Sequence, residues 1–266
     1  MTPTELVERA LEEDIGSADL TTELCVPPDR QAHGSFVVRE PIVTAGVELL
    51  PLIYEDVDLI TRNGALLQPG DRIATVRGPA RLLLTRERVA LNFLQHLSGV
   101  ATLARKFVDR VAGTGCRILD TRKTIPGLRQ LEKSAVRAGG ATNHRIGLFD
   151  AILIKNNHIT AAGGIRAALE ATRHASVPVE IEVRTRAELD EALACGAKML
   201  LLDNLSPAEA KEWVRSIDRQ ATVEISGGVT LETVRDYAES GADFVSVGAL
   251  THSARAVDIH FRLELD

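Results

Sequence analysis

Apolar residues along the chain change their spacing twice, and each change marks a different kind of structure. Leu6, Val7, Ala10 and Leu11 share one face of a helical period, headed by Thr2, Pro3 and Glu5 in a T-x-x-E start with proline at the first helical position. This pattern predicts a helix that stops near Gly16. The turn-rich DIGSADLTTELCVPPD follows, and then the extended pieces GSFVVRE, PIVTAGVE and RIATVRG, separated by Asn-Gly and Pro-Gly signals that suit antiparallel pairing. Helical spacing returns between Arg81 and Gly113 through Val89, Leu91, Phe93, Leu94 and Leu97. Ser98-Gly99 interrupts it, so two consecutive helices are expected, the first headed by Arg86, Glu87 and Arg88 as a solvated helix start.

Beyond Gly115 the texture changes again. RILD, AILIK, VEIEV, MLLLD, TVEIS and FVSVG, beginning near 117, 151, 179, 199, 222 and 244, are short apolar strands with amphipathic helices filling the gaps. That alternation is the βαβ signature of a parallel sheet. A complete barrel of this kind needs eight strands, so six predict a smaller or incompletely closed one. In the tail, Val257, Ile259, Phe261 and Leu263 alternate strictly, which predicts a half-buried strand that returns to the first sheet.

Composition narrows the class. With 266 residues, 45% hydrophobic and 26% charged, the chain can bury a sizeable core as one large barrel or two domains, and 3% aromatic content makes that core aliphatic. A net charge of -6 with two tyrosines and one tryptophan argues against a general nucleic-acid binder. Cys25, Cys116 and Cys195 are odd in number and lack a C-x-x-C pair, which speaks for free thiols rather than a disulfide framework or a thiolate zinc site. The acidic MTPTELVERALEEDIG has no cationic and apolar leader pattern, and no apolar run approaches the roughly 18 residues of a membrane span. A cytoplasmic protein with no membrane partner is expected.

The charge is unevenly distributed. From Arg117 to Arg145 there are seven Arg or Lys against only Asp120 and Glu132. The six strands also end alike, in Asp120-Thr121-Arg122-Lys123, Lys155, Glu182, Asp203, Ser226-Gly227-Gly228 and Gly248-Ala249. Singly, each has a plainer explanation: Asp203-Asn204 with Ser206-Pro207 reads as a helix-capping segment, and Lys155 as a solvated strand end. In a parallel barrel, however, the C-terminal strand ends surround one mouth, which is where such enzymes place their chemistry. Glycine turns after the last two strands bring backbone N–H groups close to a ligand ahead of helix starts, which suits a sugar phosphate. Glu182 and Asp203 there can bind ribose hydroxyls, hold Mg²⁺ or stabilise a cationic sugar carbon, and the residues alone leave these roles open. Arg122, Lys123, His144 and Arg145 add donors, and arginine forks match a planar dicarboxylate in a way that lysine cannot.

The motifs EDIGSADLTT, RERVALNFLQHLSGVAT, DTRKTIPGLRQLEKSAVRAGGATNHRIGLFDAILIKNNH, LLDN, ISGGV and SVGALTHS resemble, end to end, those of the carboxylating nicotinate-nucleotide pyrophosphorylases, or quinolinate phosphoribosyltransferases. The resemblance implies an α/β architecture: an N-terminal α+β sandwich domain over 1–113, completed by a C-terminal strand within 254–266, and an incomplete, roughly six-stranded α/β barrel over 114–253. It implies phosphoribosyl transfer from phosphoribosyl pyrophosphate to quinolinate with Mg²⁺, followed by decarboxylation to nicotinate mononucleotide in de novo NAD biosynthesis. It also implies a homodimer, alone or within a higher oligomer. On matching positions Arg122, His144, Arg145 and Lys155 resemble the quinolinate carboxylate site, flanked by Thr121 and joined by Arg88 of a second subunit. Lys123 resembles a pyrophosphate contact, and Glu182 and Asp203 resemble ribose and metal contacts. Ser226, Gly227, Gly228, Val247, Gly248 and Ala249 resemble a 5′-phosphate cradle that His252 joins. Arg184 and Thr185 depart from the pattern, where acidic or neutral residues are expected, and so does Pro41 in a first-domain strand. Competing readings are a paralogue that takes a mono-acid, a sugar-phosphate lyase or isomerase on the same barrel, and a non-catalytic binding protein.

Overall fold

The computed structural model describes residues 2–265. In chain order the elements are α1 (Pro3–Ile15), α2 (Leu20–Cys25), β1 (Gln31–Val38), β2 (Ile42–Val43), α3 (Leu50–Ile53), β3 (Asp56–Leu59), β4 (Leu66–Leu67), β5 (Arg72–Pro79) and α4 (Ala80–Arg110). They continue with β6 (Arg117–Leu119), α5 (Arg129–Ala138), β7 (Ile152–Ile154), α6 (Asn156–Ala162), α7 (Ile165–Ala171), β8 (Val179–Val183) and α8 (Arg186–Ala194). The last are β9 (Met199–Asp203), α9 (Pro207–Ile217), β10 (Thr222–Ser226), α10 (Val234–Ala238), β11 (Phe244–Ser246), α11 (Ala249–His252) and β12 (Ile259–Leu265). Two compact units result, one from residues 1–105, 124–140 and 251–266, the other from 106–123 and 141–250.

The first unit is built on an antiparallel sheet in the order β12-β1-β5-β3. Its tail strand pairs with β1 as the alternation of Val257 to Leu263 predicts, bringing Phe261 opposite Phe36. Phe36 is fully buried, with ring centroids 4.9 Å from Phe261 and 6.1 Å from Tyr54, so aromatic packing is concentrated where β1 and β12 meet. Gly34 is required there, since a Cβ would lie 2.0 Å from the Phe261 ring. At the N-terminus the capping box forms, with Glu5 N–H donating to Thr2 Oγ1 at 3.2 Å and Thr2 N–H to a Glu5 carboxylate oxygen at 2.7 Å, and α1 ends at Gly16.

Three local expectations change. The turn-rich stretch contains α2, because the Asp19 carboxylate accepts the Thr22 N–H at 3.0 Å and caps it. PIVTAGVE keeps only the two-residue β2, since Gly46 adopts φ 87° and turns the chain into a 3-10 segment at Val47–Leu49. The two helices expected between Arg81 and Gly113 are one, α4, of 31 residues. Ser98 and Gly99 do not break it; they let other backbone approach it. The Ser98 hydroxyl accepts the Ala45 N–H at 3.0 Å and donates to the Ala45 carbonyl at 3.3 Å, and a Cβ on Gly99 would lie 2.1 Å from the Arg255 carbonyl. Tertiary contact thus overrides a weak local propensity.

The second unit carries a six-stranded parallel sheet in the order β6-β11-β10-β9-β8-β7. With β6 and β7 as its edges the sheet stays open, which is the incomplete α/β barrel that six strands predict. Ile181, Val183, Leu200, Leu202, Val223, Ile225 and Val245 are buried along it, giving the aliphatic core expected of parallel strands. The register puts Glu182, Leu201 and Glu224 in one row and Asp203 beside Ser226 two rows on, on the same face. Because side chains alternate, Glu180 and Glu182 of VEIEV share one face of β8. Among the described residues, no helix is long and apolar enough to cross a membrane.

Candidate active site

Strand ends and the segment 143–150 bring most of the proposed residues onto the second unit. Asp120, fully buried just after β6, fixes that segment: its carboxylate accepts the Asn143 side-chain amide at 2.7 Å and the His144 N–H at 2.8 Å. Asp150 holds the far side of the same loop by accepting the Ile146 and Gly147 N–H groups at 2.7 and 2.8 Å. Between these two carboxylates sits Arg145, whose guanidinium donates to the Ala151 carbonyl at 3.1 Å. Burial, and then the like charge of Arg122, lower its pKa. Two half-buried guanidiniums that repel each other make a site that favours an anion. Lys123 is exposed, with its N–H donating to Thr121 Oγ1 at 3.0 Å.

His144 is held on both ring nitrogens. Nδ1 accepts the Arg145 N–H at 2.7 Å, while Nε2 lies 3.3 Å from Glu180 Oε2 and 3.4 Å from Glu224 Oε2. Both glutamates are over nine-tenths buried. Burial pushes the His144 pKa down, but hydrogen bonds and charges from Glu180 and Glu224 outweigh it and carry the pKa up to about 9. Burial, reinforced by the charge of Glu224, also raises Glu180. Nδ1 accepts the Arg145 N–H, so the N–H on Nε2 is the one that faces the two carboxylates. The three ligand-type atoms lie within 4.8 Å of one another, but the imidazole N–H already occupies the space a cation would need. A cavity of about 220 Å³ adjoins the trio among Arg117, Met199 and Phe244 at the strand starts, away from the ends that carry Asp203 and Ser226.

At the strand ends a second carboxylate pair has a different partner. Arg184 Nη2 lies 2.6 Å from Glu182 Oε1 and its Nε 3.3 Å from Asp203 Oδ2, so one guanidinium spans both acids. Lys155 Nζ adds a looser contact to Glu182 Oε2 at 3.7 Å. The short Arg184–Glu182 approach is an ion pair with poor hydrogen-bond angles, so buried Glu182 Oε1 keeps an unused lone pair. Asn204 donates to Asp203 Oδ2 at 2.7 Å and, at φ 60°, packs under Gly227, where a Cβ would meet its Oδ1 at 2.3 Å. Gly227 is therefore glycine for the sake of Asn204, whereas Gly228, at φ 60° and exposed, faces open space as a ligand cradle requires. The expected helix starts are weaker: α10 begins only at Val234 and α11 has four residues, so anion donors come from the turns themselves. Of the Val247–Ala249 turn, the Val247 N–H is engaged by the Leu119 carbonyl at 2.9 Å. Arg88 and His252 fall in the first unit, Arg88 exposed on α4 and His252 with Nδ1 2.6 Å from the Ser253 hydroxyl.

Glu180 and Glu224 were not among the expected site residues, and Asp120 was expected only as part of the first strand's end. Their signal was present: each is an acid on or directly after an apolar strand, where an unpaired carboxylate would be costly.

An open parallel barrel with paired acids, clustered arginines and glycine turns at its strand ends defines the class of phosphate-handling α/β-barrel enzymes. Residues 19–98 match the quinolinate phosphoribosyl transferase N-terminal domain and residues 100–262 the C-terminal domain of the same family. The chain is 44% identical to the nicotinate-nucleotide pyrophosphorylase [carboxylating] of Mycobacterium leprae, over 95% of this chain and 94% of that one. It is 40% identical to a probable enzyme of the same name from Bacillus subtilis, over 95% and 90%. The crystal structure of nicotinate-nucleotide pyrophosphorylase from Ehrlichia chaffeensis superposes with a TM-score of 0.95 at 34% identity, covering 99% of each chain. The chain belongs to the quinolinate phosphoribosyl transferase family.

Proposed function

We propose that this chain is a carboxylating nicotinate-nucleotide pyrophosphorylase. It transfers the phosphoribosyl group of phosphoribosyl pyrophosphate to the ring nitrogen of quinolinate and releases the 2-carboxylate as CO₂, giving pyrophosphate and nicotinate mononucleotide for NAD biosynthesis. The observation that carries this reading is the match to both family domains, by a chain whose strand ends carry the acids and cations the reaction uses. Arg122, Arg145 and Lys155 supply charge for the two quinolinate carboxylates, with His144 beside them and Arg88 of a second copy completing the pocket. Five cations suit a diacid; a mono-acid would leave some of them unpaired. Ser226, Gly227, Gly228, Gly248 and Ala249 receive the 5′-phosphate, with Val247 and His252 flanking. Glu182 and Asp203 offer their carboxylates to ribose hydroxyls as the sugar carbon becomes cationic. Lys123 faces the departing pyrophosphate. The alkylated ring nitrogen then stabilises the C2 carbanion, so positioning of the carboxylate by arginines is the protein's main contribution to the second step.

Mg²⁺ belongs to this reading as the companion of phosphoribosyl pyrophosphate. Glu182 and Asp203 as arranged do not fit a directly bound divalent ion, since Arg184 spans them. A homodimer in the cytoplasm is the working form we propose. The test is incubation with quinolinate, phosphoribosyl pyrophosphate and Mg²⁺, with nicotinate as the control acceptor. CO₂ and nicotinate mononucleotide are expected from quinolinate only; product from nicotinate alone, or none from either, overturns the assignment.

A further inference from the structure

The Glu182–Asp203 pair carries two negative charges at the strand ends, and the chain itself supplies two positive ones, Arg184 across both acids and Lys155 on Glu182. The local charge is balanced without any added ion. The base of the Arg184 side chain is fixed, because its backbone N–H donates to Glu188 Oε2 at 2.7 Å, and Glu188 in turn closes the capping box of α8 on Thr185. Its side chain, by contrast, is 45% exposed, which leaves the guanidinium a path to solvent. A divalent cation bound directly by Glu182 and Asp203 would meet the guanidinium at the same oxygens and would have to expel it.

We propose that Arg184 is the resident cation of the Glu182–Asp203 pair, taking the place of a directly coordinated metal, so that a divalent ion reaches this site only when carried by the pyrophosphate of the substrate. This rests on the proposed use of phosphoribosyl pyrophosphate, and it makes Arg184 a positioning residue for two acids that meet the ribose. With its charge already satisfied, the pair presents carboxylate acceptors held in a fixed orientation rather than a naked anionic site.

The test is titration of the substrate-free protein with Mn²⁺, followed by electron paramagnetic resonance. The native protein and Arg184→Lys are expected to show no Mn²⁺ site that Glu182→Gln removes. Arg184→Gln is expected to gain one, tighter by about tenfold or more, as removal of a unit charge a few ångströms away from the ion implies. The double variant R184Q/E182Q should lose it again. Mn²⁺ binding by the native protein that Glu182→Gln abolishes would overturn the proposal, and so would Arg184→Gln with no gain. Circular dichroism establishes that each variant is folded. Quinolinate turnover, measured on the same native preparation, judges the functional reading separately, since the Mn²⁺ titration needs no turnover.

Discussion

Strand β8 contributes one acid to each of two carboxylate pairs, and the two pairs are treated in opposite ways. Glu180 meets Glu224 in the interior, closed by the imidazole of His144; two residues on, Glu182 meets Asp203 at the strand ends, closed by the guanidinium of Arg184. The interior partner is a titratable group with both nitrogens committed, on a side chain 14% exposed. The outer partner is a guanidinium on a side chain 45% exposed. Where water is excluded, a hydrogen-bonded proton is the less expensive way to reconcile two acids; where substrate must enter, a removable permanent charge serves better.

The largest effect should come from opening the interior pair. His144→Ala leaves two buried carboxylates facing each other and is expected to cost about 3–5 kcal/mol of unfolding free energy near pH 8, measured from denaturant midpoints. A loss under about 1 kcal/mol would mean that the trio is not closed as described. Next comes pH. Because the His144 pKa is raised in the folded chain, from an ordinary 6.5 to about 9, its contribution is fully present below pH 6.5 and is lost as pH rises through 9. The native protein should therefore lose stability over that window, and His144→Gln should flatten the loss; identical pH profiles would break the distinction between the pairs. The smallest effect belongs to the outer pair. Arg184→Gln should cost less stability than His144→Ala, since its side chain is half in solvent and Lys155 remains on Glu182. A loss as large as that of His144→Ala would place Arg184 in the framework rather than in the working site.

Much of this was legible in the chain, and the exceptions share a cause. Six apolar strands alternating with helices announced the open barrel, because burial on both faces writes itself as hydrophobic runs. The strand-end residues followed from that, and Lys155, Glu182 and Asp203 do come together. Glu180 stayed hidden two residues from Glu182, since its reason for being buried lies on β10 and in the loop of His144, neither adjacent in sequence. Ser98-Gly99 misled for the same reason: what looked like a break is room for the backbones of Ala45 and Arg255. Arg184 stood out as a departure in type, but that its guanidinium reaches two strands is a fact of register, which a single sequence does not state.

The pairing of β12 with β1 has a consequence for how the protein is made. Val38 precedes its partner Ile259 by more than two hundred residues, so until β12 has been made that edge of β1 is an open strand. The nascent first unit must be carried through that interval with Phe36 lacking Phe261 as its cover, an invitation to join another copy edge to edge. Strand β12 is thus the closing stitch of the first sheet, supplied long after the strand it covers.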